Sequence, residues 1–329
     1  MLFYYFASFV QFIFFMRKIL VGLLLIVVLS SIAAFILIPA QLSVSPISIM
    51  KANENATFRN LSNQNNWTKW WPSQKKEDLL KDNFLFNGYN YQLTKKLYNA
   101  IEINMLEENK AFTGDIIITP ISPDSIAVKW ESTLTTSNNP LNKILIYQRA
   151  KRIKNNMQVI LDSLKSFSEN KQRVYECNIQ RTTVKDTFLV ATKLTTTHYP
   201  STSEIYNLVE TLKKYIESNG ASKTNYPMLN VATNDSIHYT TMVAIPTNKI
   251  LPDKGDIAFK ILMTDKDKIL TAEVNGGLQN IKKAHDQLDL FMKDYNLSNK
   301  VIDWESLITD RSKERDSTKW ITKIYVPIV

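Results

Sequence analysis

The chain has 329 residues, 44% hydrophobic and 22% charged, with 7 glycines, which excludes a disordered or fibrous protein and leaves room for two domains with separate cores. Its formal charge of +9 is spread thinly, in runs no longer than "KRIK" at 151–154, so neither a basic stripe nor a reader motif points to nucleic acid. Cys177 is the only cysteine, which rules out an intramolecular disulfide and a thiolate metal site and leaves an inert thiol; His198, His238 and His285 show no ligand spacing, so no metal and no cofactor is expected.

Residues 19–38, "ILVGLLLIVVLSSIAAFILI", form a run of 20 uncharged residues between Arg17-Lys18 and Pro39. As a helix the run is about 30 Å long, enough to cross the hydrocarbon of a bilayer. A cleaved signal peptide is the competing reading, with Ser31 and Ala33 as its small-x-small site, but the apolar run continues through "FILI" beyond them. The expectation is an uncleaved, single-pass anchor in the inner (cytoplasmic) membrane of a bacterium, spanning residues 1–40 of the chain. Arg17 and Lys18 hold its amino end in the cytoplasm and place the rest outside. Residues 1–15, "MLFYYFASFVQFIFF", are too short to span, and Met16 reads as an alternative start; if translated, they lie in the membrane interface.

Residues 41–172 read as the first soluble domain. "QLSVSPISIMKA" has strand character, and "NENATFRNLSNQNNWTKWWP" is a short helix that breaks at Pro72. Trp67, Trp70 and Trp71 are more simply core than a ligand wall. "YNYQLTKKLYNAIEINMLEE", "AFTGDIIITPIS" and "DSIAVKWESTLTT" form an antiparallel meander with turns at "NGYN" and "SPDS". A helix capped by Asn139, with Pro140 at its first position, closes the domain on a stripe of Ile146, Ala150, Ile153, Met157, Ile160 and Leu164. This order, and the stretch "IMKANENATFRNLSNQNNWTKWWP" most of all, resembles the SRPBCC superfamily, the START and birch-pollen-allergen fold. The resemblance implies a helix-grip sheet with a cavity between the long helix and the strands, often occupied by an apolar ligand.

"SENKQRVYECNIQ" is polar and without period and reads as a linker, which puts the second domain at 173–329. There the chain repeats itself. "TFLVATKLTTT" is a strand, "STSEIYNLVETLKKYIESNG" a helix with a Ser201/Glu204 capping box and Gly220 as its stop, and "YPMLNVAT" and "HYTTMVAIPT" are two strands. "KILTAEVNGG", "LQNIKKAHDQLDLFMKDYNL", "DWESLITD" and "KWITKIYVPIV" repeat that strand, helix and strand pair. Two such halves would pack about a pseudo-twofold axis with a groove between them, a natural ligand site. "NGG" at 275–277 is explained by turn geometry. The fold class is therefore α+β: a membrane helix, a helix-grip antiparallel sheet domain and a duplicated strand-helix-strand-strand domain.

The stretches "NGGLQNIKKAHDQLDLFMKDY", "WESLITD" and "WITKIYVPI" resemble the GyrI-like, or AraC-type effector-binding, domain of multidrug-sensing regulators. In that family the acid of the "WESLITD" strand sits in an aromatic pocket and faces the ligand. The resemblance therefore implies a binding site at Glu305, with Trp304 beside it and Trp320 and Tyr325 supplied by the last strand. Ser306-Leu307 stand where an aromatic residue often follows the acid, which changes the pocket's shape. The related regulators carry a helix-turn-helix, none is visible here, and no nucleic-acid partner is expected.

A lone carboxylate in an apolar groove either takes up a proton or finds a cation. The first expectation is a membrane-tethered, extracytoplasmic protein that binds a small amphipathic or cationic molecule at Glu305, the aromatic faces and the acid attracting the same charge. The alternatives are a hydrolase using Glu305 as general acid or base, and an envelope protein-interaction module without a ligand. Alternation along the strand also permits a plainly solvated Glu305.

Overall fold

The computed structural model describes residues 2–72, 84–108, 110–137, 139–183, 186–233, 235, 237–262, 268–299 and 301–328, with side chains from residue 15 onward except residue 34. The interfacial expectation for residues 1–15 lies almost wholly outside the described side chains. The chain separates into two compact units, Met1–Glu169 and Asn170–Val329. Both mix helices with antiparallel sheets.

The first unit begins with α1 (Leu2–Leu37), whose sequence carries charge only at Arg17 and Lys18. Its segment Phe15–Leu37, 23 residues, is long and apolar enough to cross a membrane and is nowhere buried in the unit. The first extended stretch is broken at Ser45-Pro46 into β1 (Gln41–Val44) and β2 (Ile47–Met50), both paired with β7 (Ser125–Thr135). α2 (Glu54–Ser62) is capped by Asn53, whose side chain accepts from the Ala56 amide, and a 3₁₀ helix, Gln64–Lys69, follows. β3 (Phe84–Phe86), β4 (Tyr89–Lys96), β5 (Ala100–Glu107) and β6 (Lys110–Ser122) complete a sheet ordered β1-β7-β6-β5-β4-β3. α3 (Pro140–Ser168) starts at Asn139, as the sequence implies, and buries Ala150, Ile153, Met157, Ile160 and Leu164, while Ile146 is half-buried.

The three tryptophans are core. Trp67 and Trp71 stack with ring centroids 5.3 Å apart, and both pack edge-on against Phe84. Each indole N–H finds a carbonyl: Trp67 donates to Leu61, Trp70 to Asn60 and Trp71 to Leu85, so three large rings are buried without an orphaned donor.

The stretch read as a linker is ordered. α3 runs through Ser168, α4 (Lys171–Tyr175) follows with Asn170 as its cap, and β8 (Ile179–Thr182) begins three residues after Glu176. Polar composition concealed a helix of five residues, too short to show a period, held by Tyr175, which packs on Phe291 and donates to Asp294 Oδ2 at 3.0 Å. Cys177 beside it is buried, and burial pushes its thiol pKa up.

The second unit continues with β9 (Phe188–Thr196), α5 (Thr202–Ser218), β10 (Met228–Thr233), β11 (Tyr239–Pro246), β12 (Ala258–Ile261), β13 (Ile269–Asn275), α6 (Leu278–Asp294), β14 (Trp304–Leu307) and β15 (Ile321–Pro327). α5 begins in the Ser201/Glu204 capping box, both reciprocal hydrogen bonds present, and stops before Gly220, whose φ of +60° suits a residue without Cβ. The described strands form one sheet, β12-β9-β11-β10-β14-β15-β13-β8. Outward from the β10–β14 seam the order is β10-β11-β9 on one side and β14-β15-β13 on the other. β8 and β12, which sequence reading passed over, extend its two edges.

Candidate functional site

The seam is where the sheet comes apart. β10 and β11 pair over six residues, but β10 and β14 pair over two, Met228 with Ser306 and Leu229 with Glu305. Beyond that ladder Asn230 bridges the gap by donating to the Asp303 carbonyl at 2.9 Å. A cleft of about 410 Å³ opens there, lined by Tyr199 ahead of α5, Leu229 and Val231 of β10, Leu278, Ile281, Lys282 and His285 of α6, and Asp303 and Glu305. Strand alternation puts Glu305 and Leu307 on one face of β14, Leu307 joining the apolar cluster under α5. The Glu305 side chain is 15% exposed, which excludes the plainly solvated reading.

The carboxylate is not alone. Its Oε2 lies 3.5 Å from Nη2 of Arg311 and its Oε1 lies 3.5 Å from Nε2 of His285. Arg311, whose side chain is 3% exposed, cannot shed its charge and so requires a counter-ion. Its Nη2 also donates to Thr322 Oγ1 at 2.8 Å, and its guanidinium lies 4.8 Å from the Trp320 ring centroid. Tyr206 holds the loop, accepting from the Arg311 amide at 2.7 Å and donating to the Thr309 carbonyl. The acid directly after the tryptophan is therefore the partner of a buried arginine, and one of its oxygens faces a histidine in the cleft.

His285 sits between two acids, with Nδ1 3.5 Å from Asp303 Oδ2. Burial lowers its proton affinity, but the Glu305 contact and the charges of Glu305, Asp303 and Asp289 outweigh it, so its pKa is raised. Burial, and then the Glu305 charge, raise the pKa of Tyr199, which packs edge-on against Tyr239.

The aromatic wall inferred from the sequence is not assembled around Glu305. Trp304 borders the cleft, but its ring stacks on Tyr325, with centroids 5.2 Å apart and planes 7° apart, in a cluster with Leu189, Ala191, Met228, Ala244 and Ile269 on the other face of the sheet. Adjacent residues of a strand point oppositely, so the Trp304 ring and the Glu305 carboxylate leave β14 on opposite faces. Trp320 holds Arg311, its Nε1 donating to the Glu314 carbonyl at 2.9 Å. Tyr199, which the sequence did not single out, lines the cleft with Glu305, and Trp304 borders it. The cation that such a carboxylate calls for is supplied by the protein itself, since Arg311 and His285 flank it.

Sequence reading missed both. His285 left a signal, falling one turn after Ile281 on the buried stripe of Ile281, Ala284, Leu288 and Phe291, where a polar side chain needs a reason. Arg311 left none, since "DRSKERD" offers three cations in five residues and nothing in the letters says which turns inward.

No protein-family model matches the chain, and no curated protein matches it. Among solved structures, the EcmrR–DNA complex shares 16% identity over 56% of this chain and 69% of that one, with a TM-score of 0.42. The EcmrR C-terminal domain shares 14% identity over 46% of this chain and 96% of its own, with a TM-score of 0.39. The di-domain ARO/CYC BexL from the BE-7585A biosynthetic pathway spans 88% of this chain and 85% of its own at 8% identity, with a TM-score of 0.30.

Proposed function

We propose that this chain is a membrane-tethered protein that binds a small amphipathic or cationic molecule in the cleft at Glu305. One observation carries the reading: a nearly buried carboxylate faces a 410 Å³ opening whose other walls include Tyr199, Leu229, Val231, Leu278 and Ile281. Apolar walls supply affinity for the body of a ligand and the acid selects its sign. Three carboxylates, Asp289, Asp303 and Glu305, stand against Lys282 and Arg311 around His285. The opening is thus net negative when the imidazole is neutral and balanced when it is protonated. A cation beside Glu305 competes with the His285 proton, and its affinity rises with pH through the raised pKa of that histidine.

The sheet order on either side of the β10–β14 seam supports taking the second unit as a duplicated, GyrI-like effector-binding domain, together with "WESLITD" and "WITKIYVPI". A long helix following an antiparallel sheet is what the SRPBCC reading asks of the first. The anchor reading rests on Phe15–Leu37, and the extracytoplasmic side of the inner membrane on Arg17 and Lys18 at its amino end.

The test is a thermal-shift titration of the detergent-solubilised full chain with tetraphenylphosphonium and with neutral triphenylphosphine oxide. The cation should raise Tm, more so at a pH above the His285 pKa than below it, and Val231→Trp, which puts a large ring into the cleft from a strand that carries none of the ion-paired residues, should abolish the shift. An equal shift from the neutral compound, or a full shift in Val231→Trp, contradicts the reading.

His285 poised between Asp303 and Glu305 favours one second reading, proton transfer in a hydrolase. In that case a reactive ester is consumed by the parent and not by His285→Gln.

A further inference from the structure

The rest of the first unit is held close to the end of α1. Only three residues separate Leu37, the end of α1, from Gln41, the start of β1. Thr136 Oγ1 donates to the Pro39 and Ala40 carbonyls, and the Thr136 amide donates to Ala40. Lys143, buried on the first turn of α3, reaches the end of α1 and donates from Nζ to the Phe35 carbonyl at 3.2 Å and the Ile38 carbonyl at 2.8 Å; it also lies 4.7 Å from the Phe35 ring centroid. A lysine from another helix thus satisfies carbonyls that a helix end leaves open. The first turns of α3 are fixed at the level where α1 ends.

Those turns are built unlike a surface that meets only water. Leu141 is 70% and Leu145 63% exposed, with Ile144 and Tyr147 also exposed beside them. Residues 140–154 carry five cations, Lys143, Arg149, Lys151, Arg152 and Lys154, and no acid. Glu107 offsets part of that charge, pairing with Arg149 at 2.6 Å and Arg152 at 3.5 Å. Beside the helix, a groove of about 750 Å³ runs past Phe112 and Leu134 to Arg149 and Arg152. Exposed leucines lead the helix from the turn that touches α1, and cations follow one to three turns on. Apolar groups next to the hydrocarbon and cations among the headgroups is the arrangement an interfacial helix needs.

We infer that the amino-terminal half of α3 is a lipid-contacting surface, seated in the headgroup layer of the bilayer that α1 crosses and selective for anionic phospholipid. The inference rests on the anchor reading above. Leu141 and Leu145 enter the acyl boundary, and the exposed Lys151 and Lys154 meet headgroup phosphates.

The experiment uses the full chain in vesicles of phosphatidylcholine with and without phosphatidylglycerol. An environment-sensitive fluorophore is placed on Leu145→Cys in a Cys177→Ala background, with Tyr98→Cys, at a position 99% exposed on the β4–β5 turn, as the aqueous control. The label at 145 should shift to the blue and be quenched more by spin-labelled phosphatidylglycerol than by spin-labelled phosphatidylcholine, while the label at 98 stays in water. Replacing Lys151 and Lys154 by Gln should lower the phosphatidylglycerol preference by about five-fold per charge at low salt, and added salt should do the same. Alkaline carbonate extraction separates the two ideas. Release of the chain defeats the anchor reading and this inference with it. Retention with an aqueous label at 145, or with equal quenching by both lipids, overturns this inference alone.

Discussion

Glu305 faces two demands at once, and its two oxygens answer them separately. Oε2 compensates Arg311, which burial would otherwise make costly, and Oε1 meets His285 in the cleft. Removing one partner of a buried pair commonly costs about 3–5 kcal/mol; Thr322 and the Trp320 ring retain part of the compensation, so Glu305→Gln should destabilise the second unit by ~2–3 kcal/mol. Thermal melts of Glu305→Gln, Arg311→Met and the double variant check this, the double costing ~1–2 kcal/mol less than the sum of the singles. A sum that is simply additive means the 3.5 Å contact carries no energy. His285 makes a prediction of opposite kind. Its pKa is raised in the folded chain, so its protonated form stabilises the fold: the contribution is complete below the ordinary histidine value of about 6.5 and is lost as the pH climbs through the raised value. The Tm difference between the parent and His285→Gln should be largest in acid and vanish toward alkaline pH.

At the scale of elements, what was legible had local causes. The Asn139 cap with Pro140, the Ser201/Glu204 box and the Gly220 stop each depend on one or two residues next to the helix end, and each stands where the letters put it. The box is also testable: Ser201→Ala removes both hydrogen bonds of the hydroxyl, one accepted from the Glu204 amide and one donated to Glu204 Oε2, and should cost about 1 kcal/mol, a fall of about 2–4 °C in the melting of the second unit. What was not legible depended on pairing across the sheet. β8 and β12, four residues each, become strands because β13 and β9 offer them edges, and a short polar stretch carries no sign of that. The cleft has the same origin. Nothing in "YPMLNVAT" or "DWESLITD" announces that the two strands pair over two residues and then part, yet that parting makes the opening and brings Tyr199 and His285 to it beside the acid, while Tyr325 stays outside its lining.

For the whole molecule, length left room for two folded units and composition showed one apolar helix able to span a bilayer, because core size and helix length are properties of long windows. The placement of charge within those units was hidden, since +9 spread over the chain looks alike whether a cation is solvated, as on the exposed face of α3, or buried, as at Arg311. The functional account comes down to exchange in one cleft, where an organic cation and a proton on His285 compete for the field of Glu305, Asp303 and Asp289. Calorimetric titration of the full chain with tetraphenylphosphonium, in two buffers of different ionisation enthalpy near the His285 pKa, measures that exchange directly. The account predicts a single binding event that releases part of a proton to the buffer, lost altogether in Val231→Trp and without proton release in His285→Gln. Binding with no proton exchange, or with the same release in His285→Gln as in the parent, would contradict it.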